Sequence, residues 1–163
     1  MKMKIVSFNE LAWLWLAFLV TIIDIVTKYW INNNIVQNEI YPFAPFFNLF
    51  YVRNYGVIFS LLSDKNGAQR WFLAFLAIII IVILVVLMYR TDSNYILSKI
   101  AYALIIGGAL GNLFDRIYYG FIIDFIDFYI GQWHFATFNI ADSSICIGTT
   151  FLIVENFFSS KRK

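Results

Sequence analysis

The chain reads as an all-α membrane protein, a four-transmembrane-helix bundle with a small extracytoplasmic β-cradle and loop. Three observations predict that class. The sequence is 61% hydrophobic and only 13% charged, whereas soluble domains carry roughly 25% charged residues. The stretch from Trp71 to Tyr89 contains no charged residue and matches the roughly 20 apolar residues that a bilayer crossing requires. One connection between apolar stretches is crowded with aromatic residues and prolines where an ordinary loop would be polar.

Taken in order, the first span is expected at about residues 11–30. Lys2 and Lys4 ahead of an apolar run resemble a secretory signal peptide. However, Glu10 intervenes, the run is long enough to span, and no small-x-small cleavage site precedes its end. The following connection contains Tyr41-Pro-Phe-Ala-Pro-Phe-Phe-Asn-Leu-Phe-Tyr51. Pro42 and Pro45 disfavour helix, so a short twisted strand platform at the membrane interface is predicted. Interfacial anchoring accounts for about half of such aromatic residues. Arg53-Asn-Tyr-Gly56 comes next, and its glycine permits a tight turn, which favours a shaped cleft. The second span is about 71–89, the third about 98–114 and the fourth about 140–158. Four spans nearly exhaust the 163 residues, so a single membrane domain over 1–163 is expected.

An even number of spans puts both termini on one side, and the positive-inside rule selects the side. Lys2, Lys4, Arg90, Lys99, Lys161, Arg162 and Lys163 fall together, against Lys28, Arg53, Lys65, Arg70 and Arg116. Seven against five predicts cytoplasmic termini. The connections over 31–70 and 117–138 are then extracytoplasmic. The basic tail is an orientation signal with a little attraction to anionic lipid, and it carries no indication of nucleic acid.

Three aspartates, Asp115, Asp124 and Asp142, lie in or beside apolar runs where a carboxylate is expensive. Two share a phrase, Asn112-Leu-Phe-Asp115 and Asn139-Ile-Ala-Asp142. In the third span Gly107 and Gly111 have the small-xxx-small spacing of closely packed helices. Asn112, Asp115 and Arg116 follow at spacings of three and four, which places them on one helix face near its external end. Asn139 and Asp142 open the fourth span at the same level, so two amide-acid faces meet across packed helices. Asp124 lies on the returning loop, where it can press back against Asp142. Two carboxylates so placed share one proton. One polarises a carbonyl while the other takes a proton from water, the chemistry of an aspartic peptidase, with Arg116, Asn112 and Asn139 holding substrate or orienting the acids. On the residues alone, Asp115 and Asp124 are equal candidates as partner of Asp142.

Other chemistry finds less support. His134 is the single histidine and has no acid or cysteine at ligand spacing, so no metal is expected. Cys146, the single cysteine, reads as a small apolar residue packed in the last helix. Ion or proton passage would spread acids through the membrane depth, whereas these cluster at one end. A structural pairing of Asp115 with Arg116 or Lys28 suits any one acid taken singly. Three acids and two amides at one depth argue against it, and a non-enzymatic assembly subunit fares no better.

These residues resemble the lipoprotein signal peptidase family, bacterial signal peptidase II, over nearly the full length. The blocks that carry the resemblance are Asp24-Ile-Val-Thr-Lys28, Arg53-Asn-Tyr-Gly-Val-Ile-Phe-Ser60, Gly107 through Arg116, Ile123-Asp-Phe-Ile-Asp127 and Phe138-Asn-Ile-Ala-Asp-Ser143. The resemblance implies an aspartic endopeptidase of the bacterial inner membrane, without cofactor. Its substrates would be diacylglyceryl-modified prolipoproteins, cut just before the lipidated cysteine near the extracytoplasmic face. It implies Asp124 and Asp142 as the catalytic pair, which breaks the tie, with Asp115 as a supporting acid. Asn112, Arg116 and Asn139 would grip substrate or the cyclic peptide globomycin, Asn54 would face the site, and Asp24 would brace the fold. Val57, Ile58 and Ala136 depart from the family pattern, which bears on the shape of the cradle and not on the reaction.

Overall fold

A computed structural model describes residues 8–56 and 67–160. The departures at Val57 and Ile58, together with Lys65 and the terminal lysines, fall outside the described residues. A 3-10 turn at Phe8–Trp13 leads into α1 (Leu14–Asn34), and α2 (Ala68–Arg90), α3 (Ile96–Tyr118) and α4 (Ile140–Ser160) follow. All four helices are long and apolar enough to cross a membrane. The second, third and fourth predicted spans sit inside their helices, whereas the first begins three residues earlier, in the 3-10 turn; α3 runs a turn further than expected, so Asp115 and Arg116 belong to its last turn.

The central helix is α3, which packs against α1, α2 and α4. Half of its apolar window is buried, 50% against 11–22% for the others. Its small residues explain why. Without a hydrophobic drive between helices in lipid, association depends on close backbone approach, and α3 offers Ala101, Ala103, Gly107, Gly108, Ala109 and Gly111 as buried positions. A methyl group at Gly108 would meet Ser144 Oγ at 2.6 Å and the Ala141 carbonyl, both on α4. Gly107 and Gly111 face the other way, toward Ala17, Val20 and Asp24 of α1. By contrast α2 has a mean hydropathy of 3.4 and turns Phe72, Phe75, Val82 and Ile83 outward, the surface that lipid tails cover.

Four antiparallel strands in the order β1-β2-β3-β4 cap one end: β1 (Ile40–Ala44), β2 (Phe47–Asn54), β3 (Ile122–Ile130) and β4 (Trp133–His134). The aromatic platform is thus β1 and β2, and Pro42 lies in the edge strand, where its missing N–H costs no central pairing. The segment expected to be a returning loop is instead the strand β3, which corrects the placement of Asp124. Every residue from Ile122 to Asp127 is buried, so the period-2 alternation that marks a half-exposed strand is absent. Ile31, Tyr51, Ile123, Phe125 and Ile126 form the core that fastens the sheet to the end of α1. Just before α4, Phe138 bridges to Ile126, its N–H donating to the Ile126 carbonyl at 3.1 Å and its carbonyl accepting from Ile126 N at 2.8 Å.

Candidate active site

The site forms where β3, the last turn of α3 and the first turn of α4 converge. Asp124 enters from β3, opposite Val52 of β2, and its side chain is buried, 3% exposed. Asn54, two residues beyond Val52 on the same strand, reaches diagonally across the pair and donates Nδ2 to Asp124 Oδ2 at 2.9 Å. The Asn54 side-chain oxygen accepts from Gly56 N at 2.8 Å, a local turn that aims the amide. Asn139 donates Nδ2 to the other oxygen, Asp124 Oδ1, at 2.7 Å.

Asp142 comes from the start of α4, held by a reciprocal cap. Asn139 Oδ1 accepts from Asp142 N at 2.8 Å, while Asp142 Oδ2 accepts from Asn139 N at 3.3 Å, the logic of a capping box. Asp142 Oδ1 accepts from Asn112 Nδ2 at 2.8 Å. Asn112 Oδ1 in turn accepts from Asn139 Nδ2 at 3.3 Å. The two amides therefore link Asp124 to Asp142 in one network. The repeated amide-acid phrase, which looked like one device used twice, serves two purposes: at Asn139 and Asp142 it begins a helix, whereas Asn112 and Asp115 lie inside the end of one.

Asp115 points elsewhere. Its Oδ2 lies 3.0 Å from Lys28 Nζ and accepts from Ile123 N at 3.0 Å. Asp24 Oδ2 is 2.7 Å from the same ammonium and Asp24 Oδ1 accepts from Ala141 N at 2.8 Å. A buried cation flanked by two buried carboxylates occupies the α1–α3 seam, and Lys28 also donates to Asn112 Oδ1 at 2.9 Å. Lys28 was counted among the external charges; its burial, 1% exposed, shows it to be internal. The sign that marks it is the i, i+4 spacing from Asp24 within an apolar span. Arg116 Nη1 donates to the Asn112 carbonyl at 3.3 Å and lines a hollow of about 240 Å³ that Asn112 shares with Leu73 and Leu76 of α2 and Ile145 of α4.

Burial is the largest influence on Asp124, and with the nearby charge of Asp142 it pushes the carboxyl from 3.8 up to about 6, against the lowering effect of the Asn54 and Asn139 amides and of Lys28.

Two expectations away from this site change. His134 has an acid neighbour after all: the β3–β4 hairpin brings its Nδ1 to 2.9 Å and 3.0 Å from the two oxygens of Asp127. Asn48 Nδ2 donates to Asp127 Oδ2 at 2.9 Å. Cys146 faces outward from α4 and is exposed, so it is not packed inside the bundle. Among the described residues no group of three metal-ligating side chains is placed to hold an ion.

Residues 16–158 match the family model described as Signal peptidase (SPase) II. A lipoprotein signal peptidase of Serratia proteamaculans (strain 568) is 53% identical over 160 residues, covering 98% of this chain and 95% of that one. A lipoprotein signal peptidase of Escherichia coli O1:K1 / APEC is 56% identical over 153 residues, covering 94% and 93%. Among solved structures, a bacterial membrane enzyme determined by the in meso method at 2.3 Å resolution superposes with a TM-score of 0.81 at 34% identity, covering 93% of this chain and 90% of that one. A second bacterial membrane enzyme, at 1.9 Å, gives a TM-score of 0.78 at 35% identity over 87% and 90%. The chain therefore belongs to the signal peptidase II family, the aspartic-type lipoprotein signal peptidases of bacterial membranes.

Proposed function

We propose that the enzyme removes signal peptides from diacylglyceryl-modified prolipoproteins, cutting just before the lipidated cysteine with a water activated by Asp124 and Asp142. The observation that carries this reading is the shared amide network: the two carboxylates converge from a strand and a helix onto Asn112 and Asn139. Asp115 is the weaker partner because its Oδ2 is engaged by Lys28 and by the Ile123 N–H.

In the first step water attacks the scissile carbonyl carbon, Asp142 takes the water proton, and Asp124 gives its proton to the carbonyl oxygen. The tetrahedral diol then collapses. Asp142 passes its proton to the departing nitrogen, and Asp124 recovers the hydroxyl proton as the new carboxyl group forms. The pair starts and ends with one proton. Asp142 is the anionic partner in this scheme, at a helix N-terminus where negative charge is stabilised, and Asp124 is the acid. Asn54 and Asn139 orient Asp124. Asn112 and Arg116 face the α2–α3–α4 hollow and grip the substrate backbone there, while Asp24 and Asp115 brace the elements that carry the pair. Globomycin would occupy the same hollow. No cofactor is needed for this chemistry.

The membrane arrangement supports the substrate class. Acyl chains and signal helix would remain in lipid beside α2 and α4, and the scissile bond would meet the acids at the sheet-bearing end. We place that end outside the bacterial inner membrane and both termini in the cytoplasm. Lys28 and Lys99 are both buried; discounting one from each side turns seven against five into six against four, and the bias stands.

The test is cleavage of a diacylglyceryl-modified prolipoprotein by purified wild type, Asp124→Asn and Asp142→Asn, with globomycin as control. Cleavage by wild type alone, abolished by globomycin, is expected. Cleavage by a folded Asn variant would move the chemistry to other residues, with Asp115 the first to test.

A further inference from the structure

The buried cation between α1 and α3 reaches Asp142 through one side chain, Asn112, and the backbone beside both acids through Asp24 and Asp115. The Lys28 ammonium can only donate: it donates to Asn112 Oδ1 at 2.9 Å and lies at ion-pair distance from Asp24 Oδ2, 2.7 Å, and Asp115 Oδ2, 3.0 Å. Asp24 receives the N–H of Ala141, the residue before Asp142, and Asp115 receives the N–H of Ile123, the residue before Asp124. Each of the two bracing carboxylates thus fastens the backbone one residue ahead of one reacting acid.

The third contact acts on an orientation. A primary amide can present either end, and Asn112 lies between a group that only donates and a carboxylate that accepts. Lys28 therefore forces the amide oxygen inward and the NH2 toward Asp142 Oδ1, where it donates at 2.8 Å. Gly111, one residue earlier on α3, makes room for the Asp24 carboxylate at the same seam: a methyl group there would collide with it.

We infer that Lys28 is a positioning residue of the proteolytic reaction, which orients the Asn112 amide toward Asp142 and joins the two carboxylates that anchor the backbone beside Asp142 and Asp124. The inference rests on the reading of Asp124 and Asp142 as the reacting pair. Lys28 touches neither the pair nor the α2–α3–α4 hollow, so its influence is on the acids and not on substrate binding. The charged groups around it are Asp24 from its own helix, Asp115 and Arg116 from α3, Asp124 from β3 and Asp142 from α4. Among these groups Lys28 and Arg116 are the cations. Removing Lys28 together with Asp24 changes no net charge, so the effect comes through the relay: the Asn112 NH2 is no longer held toward Asp142 Oδ1, and the ionised pair loses a donor.

The experiment is the pH dependence of kcat and KM on a diacylglyceryl-modified prolipoprotein for three variants. Lys28→Met alone would strand two buried carboxylates, so it is combined with Asp24→Asn, which leaves the net charge of the Lys28, Asp24 and Asp115 triad unchanged. The double variant is expected to keep KM within about threefold, to lose at least about tenfold in kcat, and to show an acid limb of kcat/KM raised by about one pH unit. Asp24→Asn by itself retains the cation and is expected to hold that limb at or below its wild-type pH. Asn112→Leu preserves the Lys28 ion pairs and removes the relay together with the Asn112 contacts to Asn139 and to substrate, so KM is expected to rise and the acid limb to rise as well. A folded double variant, or a folded Asn112→Leu, with the wild-type acid limb overturns the inference. If Asp124→Asn or Asp142→Asn retains activity, the underlying assignment fails independently of Lys28.

Discussion

Replacing Asp124 by Asn should abolish cleavage and yet stabilise the fold at alkaline pH. A carboxyl whose value rises from 3.8 in the unfolded chain to about 6 in the folded one binds more protons folded than unfolded between those limits. Stability of the wild type therefore falls as pH rises from about 4 through about 6 and stays lower above it. The full displacement corresponds to about 3 kcal/mol. Asparagine removes that penalty but keeps only one acceptor oxygen, so it cannot accept from both Asn54 and Asn139 as the carboxylate does; losing one such bond costs about 1 kcal/mol. The net gain above pH 7 is then about 1–2 kcal/mol, or roughly 2–8 °C in unfolding midpoint. Below pH 4 both side chains are neutral and the advantage disappears. Thermal unfolding in detergent at pH 4, 6 and 8, with wild type and variant at matched protein concentration, reads this directly. A midpoint difference that does not change with pH would refute the claim that burial beside Asp142 governs the Asp124 carboxyl.

Other substitutions probe the framework. Gly108→Ala should destabilise by about 1–3 kcal/mol and lower kcat, because a methyl group there meets Ser144 Oγ at 2.6 Å and pushes away the helix that carries Asp142; thermal unfolding and steady-state cleavage measure both effects. Asn139→Ala removes the α4 cap, worth about 0.5–2 kcal/mol, together with a 2.7 Å bond to Asp124. Its cleavage rate should fall more steeply than its stability. Asp127→Ala leaves the buried Asn48 amide without its 2.9 Å acceptor, at a cost of about 1–3 kcal/mol, while the pH dependence of cleavage should keep its shape because Asp127 lies outside the amide network. For orientation, single cysteines at Trp133 and at Asn94, in a Cys146→Ser background, should react with a membrane-impermeant maleimide from opposite sides of intact cells and inverted vesicles.

Much of this architecture was legible in one dimension because a bilayer imposes a simple rule: a spanning backbone satisfies its own hydrogen bonds in helices of fixed minimum length. The four spans follow from that rule. The proline-punctuated aromatic segment also announced β1 and β2. The strand β3 escaped because burial on both faces removes alternation, and an apolar run containing two aspartates has no distinctive period. Likewise Lys28 was placed by chain position with the loop charges, whereas its spacing from Asp24 leads inward.

Composition and local order determined that the chain spans a membrane four times, that its acids gather near one end, and that Asn112, Asp115, Asn139 and Asp142 share a level. Those are consequences of helix length and helix period, which act along the chain. What each of the other acids touches was a different matter. Asp115 and Asp124 are nine residues apart and equally plausible by spacing as partners of Asp142, and their surroundings are set by contacts between distant segments. Lys28, 87 residues before Asp115, forms an ion pair with it; Asn139, 15 residues after Asp124, reaches it; and Phe138 pairs with Ile126 to hold β3 against α4. Ion pairing and amide hydrogen bonding fall off within a few ångströms, so only the folded arrangement of α1, α3, β3 and α4 decides that Asp115 meets Lys28 while Asp124 joins the amide network that also holds Asp142.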